Sequence, residues 1–157
     1  MEENFLENIR SFIISEQART IVRDYNANKS KLETNYNIGK ELVEAGKQYG
    51  EGIIKTYSEK LTNEFGKGYD VSELKRMRKF HLLFQKGGAV PHQLTWSHIS
   101  KLLPLTDMNE INYYISVTIR DNLSYRNLAE RIKSDEYGRL PLETKIKLKE
   151  SKEVNEK

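Results

Sequence analysis

An all-α fold containing one or two helix-turn-helix units, possibly with a small wing, is predicted by three features of the sequence. Apolar residues recur at spacings of three and four between the turns, the period of a helix buried on one face. Glycine, proline and capping residues punctuate the chain at Tyr49–Gly52, Gly66–Gly68, Gln85–Leu94 and Asn122–Ser124. Alternating apolar and polar runs of the kind strands require are scarce.

Taken in order, Phe5, Ile9, Phe12, Ile13, Ile21 and Tyr25 form the stripe of a helix over 4–25, which the polar run Asn26–Lys29 breaks or bends. Leu32, Tyr36, Leu42 and Val43 carry a second helix from Ser30 to about Ala45, with Gly46 as its expected C-cap. Gly39 lies inside that helix and weakens it unless another backbone packs closely there. Ile53, Ile54, Tyr57, Leu61 and Phe65 mark a third helix, closed by Gly66–Gly68. Asp70 or Ser72 caps a fourth, whose apolar face is Val71, Leu74, Met77, Phe80 and Phe84. The run QKGGAVPHQL, from Gln85 to Leu94, is the clearest internal loop and the place for a wing-like hairpin. A fifth helix starts at Thr95–Ser97 with Trp96 as its core anchor and stops at Pro104. Asp107 caps a sixth with the stripe Ile111, Tyr114, Ile115 and Ile119, and Ser124 caps a seventh with Leu128, Ala129 and Ile132. After Pro141 the lysine- and glutamate-rich tail reads as a solvated helix fraying into a linker. The expected division is 1–47 for long helices that pack or dimerise, 48–140 for the helix-turn-helix region and 141–157 for the tail.

The chain has 157 residues, of which 37% are hydrophobic and 31% charged, with a mean hydropathy of −0.73. Such a chain builds a modest core and is expected to be soluble, with no membrane partner. It has no cysteine, which removes disulfides and thiolate metal sites and points to a reducing cytoplasm. The net charge of +3 is concentrated: residues 66–106 hold seven basic and two acidic residues, while 107–157 hold ten of each. A local basic patch suggests a polyanionic partner.

That patch centres on the fourth helix. Lys75, Arg76, Arg78 and Lys79 follow a glycine-bearing turn, with the apolar face behind them, as in a helix that enters a nucleic-acid groove. Lysine and arginine neutralise phosphates, and arginine reads guanine edges. Arg76 and Lys79 are expected to point away from the apolar face, Lys75 and Arg78 to flank it, and Ser72 to offer a hydroxyl at the helix start. The sequence LTWSHISKLLPL followed by NLSYRNLAERI is similar to the core helices of ParB-type partition proteins. It adds Arg126 as a secondary DNA contact, with Arg120 and Arg131 as further phosphate candidates. His81, His92 and His98 share no ligand spacing, so no metal or other cofactor is expected. Glu143-Thr144-Lys145 after Asp135, and Glu73-Leu74-Lys75 after Asp70, have the E-x-K form of metal-dependent nucleases. Those sites are built on adjacent strands, and both matches are read as coincidence.

Several segments together resemble the N-terminal domain of YhcG-like proteins. Tyr36 to Lys40 is similar to that family's "YW-IG" element, with Asn37 where the family has tryptophan. The run from Tyr49 to Tyr69, Leu74–Phe80 against "NLRRMRQFY" and Leu94–His98 against "LSWSH" continue the likeness over roughly residues 5–140; the Gly87–His92 loop departs from it. The resemblance implies a helical, winged-helix-type DNA-binding region that precedes a PD-(D/E)XK nuclease domain. The catalytic carboxylates and lysine would lie in that nuclease, so no catalytic residue is assigned here. The expected function is a non-catalytic DNA-binding module, with duplex DNA as partner, that targets or dimerises the nuclease. The alternative is a protein-interaction module, of the kind a mobile element carries, that binds and modulates a partner nuclease, with a homodimer through the N-terminal helices as one form of it.

Overall fold

Eight helices account for all the regular structure among the described residues, 4–21, 27–85 and 91–155, of the computed structural model. They are α1 Asn4–Ile21, α2 Ala27–Tyr49, α3 Ile53–Phe65, α4 Val71–Phe84, α5 Trp96–Leu102, α6 Met108–Asp121, α7 Tyr125–Lys133 and α8 Leu142–Asn155. Their starts follow capping chemistry. Asp70 accepts the Glu73 amide at 2.8 Å, Asp107 that of Asn109 at 2.9 Å and Ser124 that of Asn127 at 3.1 Å. Each such cap contributes about 1 kcal/mol. The fourth helix is therefore capped by Asp70, which leaves the Ser72 hydroxyl exposed on the first turn.

The ends obey backbone geometry. Gly66 closes α3 at φ 86°, and Asn122 closes α6 in the left-handed region at φ 50°. The second helix does not stop at Gly46. It continues to Tyr49, and Gly50, at φ 86°, takes the left-handed position with its amide on the Gly46 carbonyl at 2.8 Å. Glycine is favoured where φ is positive, and the chain has no such φ at position 46.

The chain divides into two compact units, 1–92 and 93–157, with the division inside the Gln85–Leu94 loop. Residues 86–90 of that loop, where a wing was expected, lie outside the described residues, as does Tyr25.

In the first unit α1 and α4 both pack on α2, and α3 packs on α2 and α4. The central position of α2 explains its wide buried arc, which includes Leu32, Ile38, Leu42 and Ala45 at full burial. Much of the α1 stripe is covered within the chain: Leu6, Ile9 and Ile13 are buried, and Ile14 is 52% exposed. Gly39 is where α2 meets α4. A Cβ there would lie 2.0 Å from the Met77 carbonyl oxygen, so only glycine permits the approach.

In the second unit α5 packs on α7, and α6 on α7 and α8. The buried face of α6 is Ile111, Tyr114, Val117 and Thr118; Ile115 is half-buried and Ile119 is 45% exposed. This rotates the expected stripe, because Tyr114 goes fully inside and its hydroxyl accepts the Tyr137 amide at 3.1 Å. Trp96, expected as a core anchor, is only part-buried at the first position of α5; Ile99 and Leu102, one turn or more along, fill the core instead. No helix among the described residues is long and apolar enough to cross a membrane.

Candidate nucleic-acid interface

The helix α4 is held by Leu74, Met77, Phe80, His81 and Phe84, all buried. Tyr36 of α2 meets Phe80 edge-on, with ring centroids 5.7 Å apart, and touches the His81 ring at 4.7 Å. The turn before α4 is tied to α3 by the Ser58 hydroxyl, which donates to the Tyr69 carbonyl at 2.8 Å. Burial and the nearby Lys40 charge push the His81 imidazole below its ordinary range.

The opposite side of α4 departs from expectation in its details. Ser72, Lys75 and Arg76 are exposed, whereas Arg78 and Lys79 are part-buried. Spacings of three and four place Ser72, Lys75 and Lys79 on one line along the helix. Arg76 and Arg78 therefore flank that line on either side, and both have carboxylate partners. Arg76 donates to Glu73 at 2.6 Å, an exposed pair one turn apart. Arg78 grips Glu51 with both terminal nitrogens, at 2.7 and 3.0 Å. That hydrogen-bonded guanidinium holds the Glu51 carboxyl below the usual carboxylate range, with Lys75 adding a smaller pull. Lys75 and Lys79 have no ion-pair partner among the described residues.

In the second unit α6 leads through the turn Asn122–Ser124 into α7. Its arginines are differently occupied. Arg120 donates twice to Asp121, at 2.9 Å each. Arg131 bonds Asp121 at 3.1 Å and Glu136 at 2.8 and 3.0 Å, and the Tyr113 hydroxyl donates to the same Glu136 at 2.6 Å. The two guanidiniums hold Asp121 far below the ordinary carboxylate range, and Arg131 lowers Glu136. Burial, reinforced by the Glu136 bond, pushes the Tyr113 hydroxyl up to about 12. Of the three arginines suggested by the sequence, Arg126 alone has no carboxylate among the described residues; its guanidinium lies 5.6 Å above the Tyr125 ring.

The chain matches the DUF1016 N-terminal domain over residues 8–139, from within α1 to the turn before α8. It belongs to that family. The domain is the N-terminal part of YhcG-like proteins, so the likeness seen in the sequence motifs and the family match coincide over nearly the same span. No curated protein and no solved structure matches the chain.

The E-x-K stretches do not assemble into a site. Glu143 is exposed on the first turn of α8, while Lys145 donates to the Gly138 carbonyl at 3.1 Å and lies 5.3 Å above the Tyr137 ring. Burial first, and then the charges of Asp107 and Asp135, raise the Glu110 carboxyl, yet no group of three such side chains among the described residues could hold a metal ion.

His98 was the functional-looking residue whose role the sequence concealed. Its Nδ1 accepts the Thr95 amide at 3.1 Å in a capping box, and its Nε2 lies 2.7 Å from the Leu123 carbonyl in the α6–α7 turn. A capping box ordinarily uses glutamate or glutamine at this position, so histidine gave no signal.

Proposed function

We propose that this domain is a non-catalytic DNA-binding module that targets or dimerises an associated PD-(D/E)XK-type nuclease, working in the cytoplasm without a cofactor. The observation that carries the proposal is the line Ser72, Lys75 and Lys79 on α4, with neither lysine in an ion pair among the described residues. The buried side of α4 is fixed by aromatic contacts and by the Gly39 approach, so the lysines project from a rigid support. Two ammonium groups one turn apart suit consecutive phosphates of duplex DNA, where each contact releases a counterion. The Arg76–Glu73 pair is exposed, and such pairs contribute only about 0.2–1 kcal/mol, little enough for a phosphate to take the carboxylate's place. Arg126, with no carboxylate partner among the described residues, is a secondary DNA contact within its own unit.

Fluorescence anisotropy with a labelled mixed-sequence duplex, across a salt series, tests the proposal. Wild-type binding weakens as salt rises, and Lys75→Glu with Lys79→Glu lowers the log–log slope by about 1.8, at about 0.9 per phosphate contact. Unchanged affinity and slope in the folded double variant would discard the α4 assignment. Arg76→Glu with Lys79→Glu weakens binding through the same face.

A second reading is favoured by one feature of α8. Leu142 and Ile146, one turn apart, are 72% and 47% exposed. An apolar stripe of this kind suits a protein-interaction module that modulates a partner nuclease. Binding through it would be nearly indifferent to salt, and Ile146→Glu would abolish it.

A further inference from the structure

Glu51 lies in the turn before α3, and Arg78 stands 27 residues later on the flank of α4. Each terminal nitrogen of the guanidinium donates to its own carboxylate oxygen, at 2.7 and 3.0 Å. This two-pronged arrangement is also the one by which arginine grips a phosphate. The carboxylate side chain is 63% exposed while the arginine is 23% exposed, so Glu51 covers Arg78 from the solvent side. The turn carrying the carboxylate is exposed and flanked by Gly50 and Gly52, each with open space where a Cβ would stand.

We propose that Glu51 is a built-in stand-in for phosphate: it clasps Arg78 while the α4 face is empty and yields to a backbone phosphate, so that Arg78 joins Lys75 and Lys79 only on a polyanion. The proposal rests on the DNA-binding reading of α4 and adds a threshold to it. A sparse acidic surface offers one carboxylate for another and gains nothing by displacing Glu51. Duplex DNA places a charge about every 1.7 Å along its axis, so a phosphate stays close to Arg78 while its neighbours are held by the lysines. Closed, the clasp also removes one positive charge from the α4 face and so holds back weak, non-specific association.

The experiment compares the full chain with Glu51→Gln, Glu59→Gln and the pair Glu51→Gln/Arg78→Gln, on the same labelled duplex over a salt series. Glu59 is an exposed carboxylate on α3 with no ion pair to Arg78, so its variant makes the same charge change elsewhere. Glu51→Gln is expected to bind about fivefold more tightly near physiological salt and to steepen the slope by about 0.9, the signature of one added phosphate contact. Glu59→Gln is expected to do neither, and adding Arg78→Gln is expected to remove the gain. An unchanged Glu51→Gln, an equal gain in Glu59→Gln, or a gain that survives Arg78→Gln each overturns the clasp. If the wild type binds through Lys75 and Lys79 but Glu51→Gln gains nothing, the clasp fails and the DNA-binding reading stands. If neither wild type nor Glu51→Gln binds the duplex in a salt-dependent way, both fail.

Discussion

Two pairs of consecutive helices carry the basic stretches of this chain, α3–α4 in the first unit and α6–α7 in the second, and both present arginine and lysine. They differ in where the carboxylates sit. Around α7, Asp121 and Glu136 hold Arg120 and Arg131 in a network that Tyr113 completes, so cationic side chains knit the unit together. Around α4, Glu73 and Glu51 engage the two flanking arginines and leave the line of Lys75 and Lys79 open. The lesson is that a basic stretch acquires a field only after its own acids are subtracted. The same residue types are tied into a network in one unit and leave two lysines outside any ion pair, among the described residues, in the other.

The comparison breaks first at the support of α4. Gly39→Ala drives a Cβ into the Met77 carbonyl, and about 3 kcal/mol of destabilisation is expected, the upper end for an overpacked core. Gly46→Ala, with nothing within 4 Å, is expected to stabilise by up to about 1 kcal/mol through helix propensity. Urea unfolding followed by circular dichroism separates the two, and equal effects would mean that the α2–α4 crossing is not tight.

Next comes the open line itself. Lys75→Glu with Lys79→Glu is expected to weaken duplex binding at least about thirtyfold near physiological salt, from two lost counterions, while thermal stability stays level. The mirror experiment is Arg131→Ala. It leaves Glu136 with the Tyr113 hydroxyl and Asp121 with Arg120, so about 1 kcal/mol of stability is lost with little change in DNA affinity. Should Arg131→Ala harm binding more than stability, the division of labour between the two units collapses.

The smallest effect concerns His81. Its folded pKa is lowered, by burial first and by Lys40 second, with Gln85 and Glu44 pulling the other way. The unfolded chain therefore binds the proton more readily. Stability from this group is complete above the unfolded value of about 6.5 and declines as pH falls toward the lowered folded value. The melting temperature is expected to drop on acidification below that point, and His81→Gln is expected to flatten the decline.

Local chemistry was legible and distant partnership was not. Asp107, Ser124 and Gly66 announced helix boundaries because a cap or a positive φ depends on neighbouring residues alone. Gly39 hinted at a close crossing, though not at Met77 as its partner. The face of α6 was misjudged because apolar residues at 111, 114, 115, 117 and 119 suit two rotations of one helix; the Tyr137 amide that Tyr114 receives lies 23 residues away. Similarly, the residues of the candidate interface could be named, but their order could not. The bond that demotes Arg78 reaches across 27 residues to a turn.

The His98 ring carries one last implication. Because Nδ1 receives the Thr95 amide hydrogen, the ring's own proton must reside on Nε2, facing the Leu123 oxygen. An imidazole so engaged on both edges is chemically quiet: it offers no lone pair to an alkylating reagent, and its ring proton trades slowly with deuterated solvent. A magnetic-resonance spectrum should therefore display that proton as a sharp downfield line, reporting in a single peak that the bend leading into α7 is intact.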